Sequence, residues 1–452
     1  MAKRAAVTAL CLVQFVDVLG VTVVITALPS MLNDLGSSAS SATPIVTGYA
    51  MFFGGLLMLG ARLGDRYGHR TVLVAGLAVF ALGSLVAAIA GSLFWLVVAR
   101  CIQGAAAAGS VPSALRLLSA VTADEDERRR ALAAWSASGA AAGACGLILG
   151  GVLTDIAGWR LLFWLNLPLA AGLVVAVLRA APALPATRRK RLDLLGAAVL
   201  TVAVMGLVLG CALLEQSGRV GTGLALIGVG VVLSILFALV ERRSAEPLLP
   251  GAAIRDRRLR VGAAVSALNT ASTSSAITLV TLYLQDTRGA SPAAAGFALL
   301  PFSLLVVLAA GVASARLMRR AGPRVAAAIG LGLIAVSDVG LLSSSTAVWL
   351  LVVSLGFGGV GLGLASVAAT TIGTAVPEDL AGTAAGVLNT TAQLGTALGV
   401  AVVVLIASST ADLAFGGAPL GWICAGALAA AGAAVLVMRR PVADEPVLAS
   451  AH

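Results

Sequence analysis

Residues 60–73 read GARLGDRYGHRTVL, a charged segment between two long apolar runs. Its acidic and basic residues are Arg62, Asp65, Arg66, His69 and Arg70. The whole chain is 59% hydrophobic and only 11% charged, so such a cluster needs a physical reason. Each charge would cost roughly 2.5–3.5 kcal/mol at the centre of a bilayer. The pattern therefore predicts a tight loop at one membrane face, joining two membrane-spanning helices.

Apolar runs of the same kind fill most of the chain, whose mean hydropathy over 452 residues is +1.02. A run of about 20 apolar residues is long enough to cross the roughly 30 Å of hydrocarbon in a bilayer. We therefore predict an all-α integral membrane protein that lies in the lipid bilayer. Its 14 transmembrane helices are expected near 6–30, 45–62, 72–91, 93–118, 131–155, 161–179, 193–214, 221–240, 260–284, 293–315, 324–343, 347–374, 383–408 and 418–438.

The basic residues divide unequally between the two sets of alternating loops. Of the 30 Lys and Arg residues, 26 fall in the loops on the side of Gly60–Leu73 and Arg100 lies within a span. The other side holds Arg160, Arg219 and Arg288. Because cytoplasmic loops carry the excess of Lys and Arg, we expect both termini and the Gly60–Leu73 loop to be cytoplasmic. The net charge of +10 is thus explained by topology in the cell inner membrane, not by nucleic acid.

The predicted loops also suggest how the chain divides. The longest cytoplasmic links, at about 180–192 and 241–259, bracket two spans and leave six before and six after. We therefore predict a six-helix bundle at 1–191, an inserted helix pair at 192–240 and a second six-helix bundle at 241–452. Residues 315–324, ARLMRRAGPR, partly repeat residues 61–70, ARLGDRYGHR, without the Asp. Repeated halves are typical of secondary transporters, whose substrate site lies between them near the bilayer midplane.

A carboxyl group lies about halfway along the first predicted span. Asp17 follows Gln14 by three residues, so both lie on one helix face. A carboxylate within the membrane must be paired, solvated in a cavity or protonated. Proton exchange at Asp17 when the site opens to water is one interpretation. The other is a structural carboxyl that is hydrogen-bonded to a neighbouring helix.

Other polar residues within spans are candidates for the same site. Arg100 and Gln103 in the fourth span could belong to a polar path or form a purely structural pair with a carboxylate or helix-end carbonyls. Asn269, Asn389 and Gln393 could line a cavity or hydrogen-bond across helices. We expect Asp338, in the outer third of its span, to extend toward the outer surface.

Several classes of function find no support in the sequence. The phosphate-binding pattern GxxxxGK[ST] does not occur, which argues against ATP-driven transport by this chain. No His, Cys and carboxylate set has metal-ligand spacing, and no long soluble segment could house an enzyme. We therefore expect no cofactor, no metal and no enzymatic activity. The five cysteines fall within apolar runs and are expected to be small core residues: Cys11, Cys101, Cys145, Cys211 and Cys424.

Two motifs resemble signatures of the major facilitator superfamily. GARLGDRYGHR resembles its loop signature G-x-L-a-D-r-x-G-r-k, although Ala61 occupies the position of the leading Gly. The matching positions are Leu63, Asp65, Arg66, Gly68 and Arg70. LVVARCIQGAAAAG resembles the fourth-span signature with its Arg and Gln-Gly, here Arg100, Gln103 and Gly104. The resemblance implies the major facilitator fold and a conformational gate formed by Asp65, Arg66, Gly68 and Arg70.

Further segments resemble the 14-span drug:proton antiporters of that superfamily. They are GWRLLFWLNLPLA (158–170), LDLLG (192–196), YLQDTRGASPAAAGFALLP (283–301) and AGTAAGVLNTTAQLGTALG (381–399). The first-span pattern departs from that group. Anchored on the residues ALP at 27–29, its Asp falls on Gly20 and its Asn on Ile25, whereas Asp17 lies one turn earlier.

The antiporter motif G-P-x-x-G-G also departs from the family pattern. It corresponds to Gly146, Gly150 and Gly151, with Leu147 in place of the Pro. The resemblance implies a helix bend at this motif, and the loss of the Pro predicts a weaker bend.

The resemblance and the polar residues together predict a proton-motive-force-driven exporter of small organic molecules such as drugs or antibiotics. It would work by alternating access, with Asp17 as the proton site and Arg100 as its electrostatic modulator. The expected partners are a small-molecule substrate and protons, and the expected state is a monomer. One alternative is a proton-coupled importer of a nutrient or metabolite on the same fold. Another is a non-transporting receptor or scaffold.

Overall fold

A computed structural model of the chain describes residues 2–37, 42–122, 125–183, 194–214, 219–243, 251–345, 348–376, 380–408 and 418–438. The predicted domain boundary at 191/192, the basic residues of the link at 188–191 and the tail arginines at 439 and 440 lie outside the described residues. Within the described ranges the secondary structure is entirely helical. The prediction of an all-α protein is therefore confirmed.

Six long helices form the first half of the molecule. They are α1 (Ala2–Asp34), α2 (Ala42–Tyr67), α3 (His69–Ala88), α4 (Leu93–Val121), α5 (Glu125–Ala157) and α6 (Arg160–Ala180). A pair follows, α7 (Leu194–Leu214) and α8 (Val220–Arg243). Within the first half α1 packs on α5, and α4 packs on both α2 and α3.

The second half has shorter pieces at its start. They are α9 (Gly251–Arg255), α10 (Arg257–Leu282), α11 (Pro292–Ala298) and α12 (Leu300–Leu308). The later helices are α13 (Ser314–Leu341), α14 (Val348–Gly373), α15 (Ala381–Ser408) and α16 (Ala418–Met438). Asp256 caps α10 by accepting hydrogen bonds from two backbone N–H groups, and π-helical segments follow α10 (Tyr283–Thr287) and α12 (Ala309–Ala313).

Twelve of the predicted spans are confirmed as helices long and apolar enough to cross a membrane, counted over the described residues. The other two predicted spans, α7 and α10, are helical but do not meet that standard. The helix α7 is apolar along almost all of its 21 residues, and the shorter apolar helix Ala198–Cys211 lies within it. In α10 many of the residues are Ser or Thr, which lower the hydropathy of the helix. Most of them are buried against neighbouring helices, so their polarity does not show whether the helix crosses the membrane.

The two charged turns have the same backbone geometry. Gly68 has a φ of 89° between α2 and α3, and Gly322 has a φ of 82° where α13 is broken into two helical pieces. Both are the eighth residue of the repeated ten-residue motif. Glycine adopts a positive φ without the penalty that a Cβ atom brings. The weak sequence repeat is therefore a repeated structural turn. We call the end of the molecule that holds these turns the Gly68 face, and the opposite end, where α5 meets α6, the Gly158 face.

The apolar core differs between the two ends of the molecule. At the Gly158 face one cluster of buried side chains combines both halves, including Leu28 and Leu147 of the first and Leu279 and Leu299 of the second. Toward the Gly68 face each half has a separate cluster, around Leu73 and Leu117 in the first and around Ala326 and Ile372 in the second. The halves also meet along α2 and α15, where α7 packs on both.

Candidate functional site

Asp17 lies inside the first half and has a specific partner. Its Oδ1 accepts a hydrogen bond of 2.6 Å from the hydroxyl of Tyr49 on α2. Both side chains are buried, Tyr49 completely. Tyr49 is one of only three tyrosines in the chain and lies in an apolar run, a signal that sequence reasoning missed. The hydrogen bond connects the predicted proton site on α1 to α2.

Arg100 lies over the Tyr49 ring. Its guanidinium carbon is 4.8 Å from the centre of that ring, within the range of a cation–π interaction. The guanidinium donates to the carbonyl oxygens of Gly20 (3.0 Å) and Ile45 (3.4 Å). No salt bridge joins it to Asp17. Arg100 is therefore held by backbone carbonyls within α1 and α2 and by an aromatic face, whereas its position predicted a carboxylate or helix-end carbonyls.

The network continues from Arg100 through three polar side chains. Arg100 Nη1 donates to Gln103 Oε1 at 2.8 Å, and Gln103 Nε2 donates to Ser84 Oγ at 2.8 Å. Asn166 Nδ2 also donates to Ser84 Oγ, at 3.3 Å. We call the set of Asp17, Tyr49, Arg100, Gln103, Ser84 and Asn166 the N-half polar network. It connects α1, α2, α3, α4 and α6, and all its members are buried.

Sequence reasoning found only half of this network. Ser84 and Asn166 were not singled out, although Asn166 lies in the GWRLLFWLNLPLA segment. An amide within an otherwise apolar helix was the available signal.

Gln14, predicted to act beside Asp17, packs against α5. A methyl group built on Gly139 of that helix would lie 3.0 Å from the Gln14 Nε2.

A small cavity touches Asp17. Its volume is about 10 Å³, and it is lined by Val13, Val16, Asp17, Leu77, Phe80, Ala107 and Ser110. A space of this size holds roughly one water molecule. The carboxyl is therefore not sealed on every side by side chains, and a single water would be enough to contact it.

The second half contains a larger cavity between α12 and α14. Its volume is about 570 Å³, and its lining residues are Val306, Ala310, Gly363, Ser366, Val367, Thr370, Thr371, Thr374 and Ala375. Asn269 of α10, buried behind this wall, donates to Ser366 Oγ at 2.9 Å. Thr370, Thr371 and Thr374 each donate to the carbonyl four residues earlier, so their oxygens remain available as acceptors.

The other two predicted cavity residues lie elsewhere. Gln393 lies at the contact between α2 and α15, where a methyl group on Gly54 would lie 2.9 Å from its Cβ. Asn389 is exposed on α15. Of these three predicted cavity residues, Asn269 contacts a lining residue of the larger cavity, Ser366.

The expectation that Asp338 extends toward the outer surface is wrong. Its side chain is 2% exposed and points between α10 and α16. The Ser272 hydroxyl oxygen lies 2.9 Å from Oδ2 of Asp338. The helix rotation that turns Asp338 inward is set by packing against these two helices, which the position along the helix does not reveal.

The predicted gate residues surround the Gly68 turn. Asp65 Oδ1 lies 3.2 Å from His69 Nε2, and the Asp65 side chain is 50% exposed. Arg70 donates to the carbonyl oxygen of Leu178 on α6, and Arg66 lies over the ring of Tyr67. The turn is thus tied to α6 within the first half.

The glycine motif of α5 brings this helix close to two neighbours. A methyl group on Gly146 or Gly150 would collide with Thr22 or Thr26 of α1. One on Gly151 would lie 2.2 Å from the carbonyl oxygen of Pro292 on α11, in the second half. The helix is continuous from Glu125 to Ala157. In this structure the motif therefore provides close contacts within the first half and between the halves.

Comparison with known proteins identifies the fold and the family. The family model of the Major Facilitator Superfamily matches residues 10–400 and again 262–450. The chain belongs to the Major Facilitator Superfamily. It is thus a transporter-family protein with multiple membrane-spanning helices, and its relatives are antibiotic resistance and export proteins.

Three curated relatives illustrate the similarity. The puromycin resistance protein pur8 of Streptomyces alboniger is 34% identical, over 86% of this chain and 78% of that protein. The cephamycin export protein CmcT of Amycolatopsis lactamdurans is 35% identical, over 88% and 84%. The lincomycin resistance protein of Streptomyces lincolnensis is 35% identical, over 88% and 83%. The resemblance to drug exporters of this superfamily is therefore confirmed.

Solved structures agree on the fold. A POT family transporter in complex with a thioalcohol-conjugated peptide has a TM-score of 0.73 at 15% identity, covering 95% of each chain. The human organic anion transporter MFSD10 has a TM-score of 0.63 at 19% identity, covering 96% of this chain and 99% of that chain. At such identities the similarity concerns the fold alone.

Proposed function

We propose that this protein exports small organic molecules, antibiotics among them, across the cytoplasmic membrane in exchange for protons. The relatives named for resistance or export support the direction of transport and the class of substrate. The observation that carries the proton coupling is the buried Asp17 carboxyl, hydrogen-bonded to Tyr49 and bordered by a cavity of about 10 Å³. A carboxyl within the membrane that can reach water only at certain stages of transport is suited to take up and release a proton.

The arrangement in the membrane is part of the proposal. Adding α7 and α10 to the twelve long apolar helices gives 14 crossings. The chain then divides into a first bundle at 1–191, an inserted pair at 192–240 and a second bundle at 241–452. With most of its basic loops on that side, the Gly68 face is cytoplasmic, as are both termini. The protein works as a monomer, since each chain contains both halves.

The distribution of the apolar core supports an inward-facing conformation. One cluster closes the Gly158 face across both halves, whereas separate clusters lie toward the Gly68 face. The larger cavity is lined by Thr370 and Thr371 of α14 and by Thr374 just after it, nearer the Gly68 face. Substrate would enter this cavity from the cytoplasm, where its N–H and O–H groups can donate to the threonine oxygens.

The coupling step follows from a difference in affinity between two conformations. A proton can shift the balance between inward-facing and outward-facing states only if it binds one of them more tightly. Protonation of Asp17 cancels its attraction to Arg100 and changes the hydrogen bond with Tyr49. Each pH unit of gradient supplies about 1.4 kcal/mol per proton to such a shift. Asp17 thus binds the proton. Its interactions with Arg100 and Tyr49 transmit the change in protonation to α4 and α2.

The first experiment measures drug accumulation in efflux-deficient cells that express the chain, with and without an uncoupler. We expect lower accumulation of at least one antibiotic, restored by the uncoupler. Higher accumulation of a compound would favour the importer. Unchanged accumulation of every compound in a broad antibiotic panel would exclude the proposed export function.

The second experiment tests the proton site. Asp17→Asn keeps the size of the side chain but cannot ionise, so proton-driven export should fall to background while expression is retained. Asp155→Asn, at an exposed carboxyl on α5, is the matched control and should export at the normal rate. Export by Asp17→Asn at the wild-type rate and with the same uncoupler sensitivity would exclude Asp17 as the site.

A further inference from the structure

Asp338 lies where three helices of the second half meet. It is on α13, its carboxyl faces Ser272 of α10, and Ser272 in turn contacts the Ala425 carbonyl of α16. Gly426 leaves room for it, since a methyl group there would lie 3.1 Å from the Asp338 Cβ. The side chain is 2% exposed. This group plays no part in the N-half polar network and lies on different helices.

The number of hydrogens available at this junction indicates the protonation state of Asp338. The Ser272 hydroxyl oxygen lies 2.9 Å from Oδ2 of Asp338 and 2.7 Å from the carbonyl oxygen of Ala425. A serine hydroxyl has one hydrogen to donate and can also accept. If Asp338 were ionised, both neighbours of Ser272 would be pure acceptors, and one contact would place two oxygens together without a hydrogen. If Asp338 carries a proton, it donates to Ser272, which donates to Ala425, and both contacts are hydrogen bonds.

The charges on the surrounding helices do not favour an ionised Asp338. The helix α14 has no ionisable residue, and on α16 the nearest titratable side chain is Cys424. The arginines at the start of α10 are at least 12 residues from Ser272, about 18 Å along the helix. Arg324 on α13 lies 14 residues from Asp338, about 21 Å away. Among the described residues of these helices, the arginines thus lie far along the helix axes from the carboxyl.

We propose that Asp338 and Ser272 form a second proton-binding site, in the second half of the molecule, and that it holds a proton in the present conformation. The proton joins α13, α10 and α16 through two hydrogen bonds in series. Its release would leave one contact without a hydrogen, so release is linked to separation of Ser272 from Asp338 or from Ala425. The protein would then have a proton site in each half.

The two buried carboxyls have opposite surroundings. Asp17 receives a hydrogen bond from Tyr49 and lies near Arg100, both of which favour the ionised form. On the described parts of the helices around Asp338, the arginines lie far along the helix axes, and its hydroxyl neighbour already has a backbone acceptor. Pairs of titratable groups with such different surroundings are typical of proteins that use the two groups for different steps.

Infrared spectroscopy of the purified full-length protein tests the site without any transport assay. In resting protein at mildly alkaline pH, we expect a carbonyl stretching band of a protonated carboxyl that shifts in D₂O. The band should be lost in Asp338→Asn and kept in Asp17→Asn. If the wild-type and Asp338→Asn spectra differ only in carboxylate bands, Asp338 is ionised and the proposal is wrong.

Ser272→Ala provides a second readout that does not depend on the folding of the Asp338 variant. Removal of the hydroxyl takes away the acceptor of the Asp338 proton, so the band should move to higher wavenumber. Ser274→Ala, on the same helix but bonded toward Thr396 of α15, is the matched control and should leave the band unmoved. An identical band in Ser272→Ala and wild type would overturn the proposal. Failure of antibiotic export would not affect this test, because the spectrum is that of resting protein.

Discussion

At the scale of single residues, the buried Arg100 is the unusual feature. A cation within the membrane normally has a carboxylate partner, but Arg100 is held by two backbone carbonyls, Gln103 and the face of Tyr49. One of those carbonyls belongs to Gly20, the position at which the antiporter pattern has its Asp. The site therefore keeps the arginine of the family while its carboxyl lies one turn away and reaches Arg100 through Tyr49.

The middle of the N-half polar network provides a test of this arrangement. Gln103→Leu removes the acceptor of Arg100 and the donor to Ser84 while keeping a similar volume. Buried polar groups left without partners cost about 1–3 kcal/mol each. We expect a lower melting temperature in detergent and reduced export.

Asn33→Leu, at an exposed amide near the end of α1, is the control and should melt like the wild type. Equal melting temperatures for Gln103→Leu and wild type would show that the network contributes little to stability.

Residue types within the spans predicted part of this site but not its connections. Asp17, Arg100 and Gln103 were recognisable because charged or amide groups are costly in hydrocarbon. Ser84 and Tyr49 are compatible with any helix, so only the packing of α2 and α3 reveals their roles. The direction of Asp338 was mispredicted for the same reason. Its distance from the helix end is visible in the sequence, whereas the two helices that cover it are distant along the chain.

At the scale of elements, the Gly68 and Gly322 turns show how the halves are built alike. Each reverses the chain with a single glycine at positive φ, and the following residue begins a helix or helical piece. A residue with a Cβ atom at such a position costs about 1–3 kcal/mol of strain. Gly68 therefore has a backbone role that is separate from the gate role predicted for its charged neighbours.

Gly322→Ala tests the second of these turns. We expect destabilisation of about 1–3 kcal/mol, because the φ of 82° becomes strained when a Cβ atom is added. The measurement is the melting temperature of the purified protein. Gly332→Ala is the control, since a methyl group there has nothing within 4 Å. The same small effect in both variants would mean that the turn relaxes at little cost.

The contact between α5 and α11 gives a prediction about the closed face. A side chain at Gly151 would collide with the Pro292 carbonyl, so Gly151→Val should push the halves apart at the Gly158 face. A Thr26→Cys reporter, at a position that is buried in the native structure, should then react faster with a membrane-impermeant maleimide. The measurement uses a background from which the native cysteines have been removed.

Gly143→Val on the same helix is the matched control, because nothing lies within 4 Å of a methyl group there. Its labelling rate should equal that of the parent. If Gly151→Val also matches the parent, the Gly151 contact does not hold the face closed.

Hydropathy predicted the positions of the long helices well, and it was least informative where a helix is surrounded by protein. In α10 the hydroxyls of Ser275, Thr278 and Thr281 bond to carbonyls of their own helix, which lets polar residues lie within the bundle. The predicted bend of α5 depended on a family motif whose Pro is absent. In the structure its three glycines instead serve close packing, which spacing alone could not distinguish from bending.

At the scale of the whole molecule, the shared core at the Gly158 face and the separate cores toward the Gly68 face define how the halves can move. Opening the Gly158 face must separate apolar side chains that now pack together, such as Leu28 and Leu279. That cost has to be offset by new contacts between halves at the Gly68 face. The α2–α15 contact, which includes Gly54 and Gln393, lies between the two ends and is suited to be the pivot.

Crosslinking across the closed face tests whether this motion is needed for export. The Gln285 side chain donates from the second half to the Thr26 carbonyl of the first at 2.8 Å. In a chain without its native cysteines, Thr26→Cys with Gln285→Cys should react with a short bifunctional thiol reagent, and export should stop because the Gly158 face can no longer open. A monofunctional reagent of similar size should leave more activity.

Thr22→Cys with Ala142→Cys is the control pair and should export after crosslinking. Both residues lie within the first half, where Thr22 contacts the Ala142 carbonyl at 3.4 Å. Continued export by the fully crosslinked Thr26–Gln285 pair would mean that substrate leaves by a route that does not require this face to open.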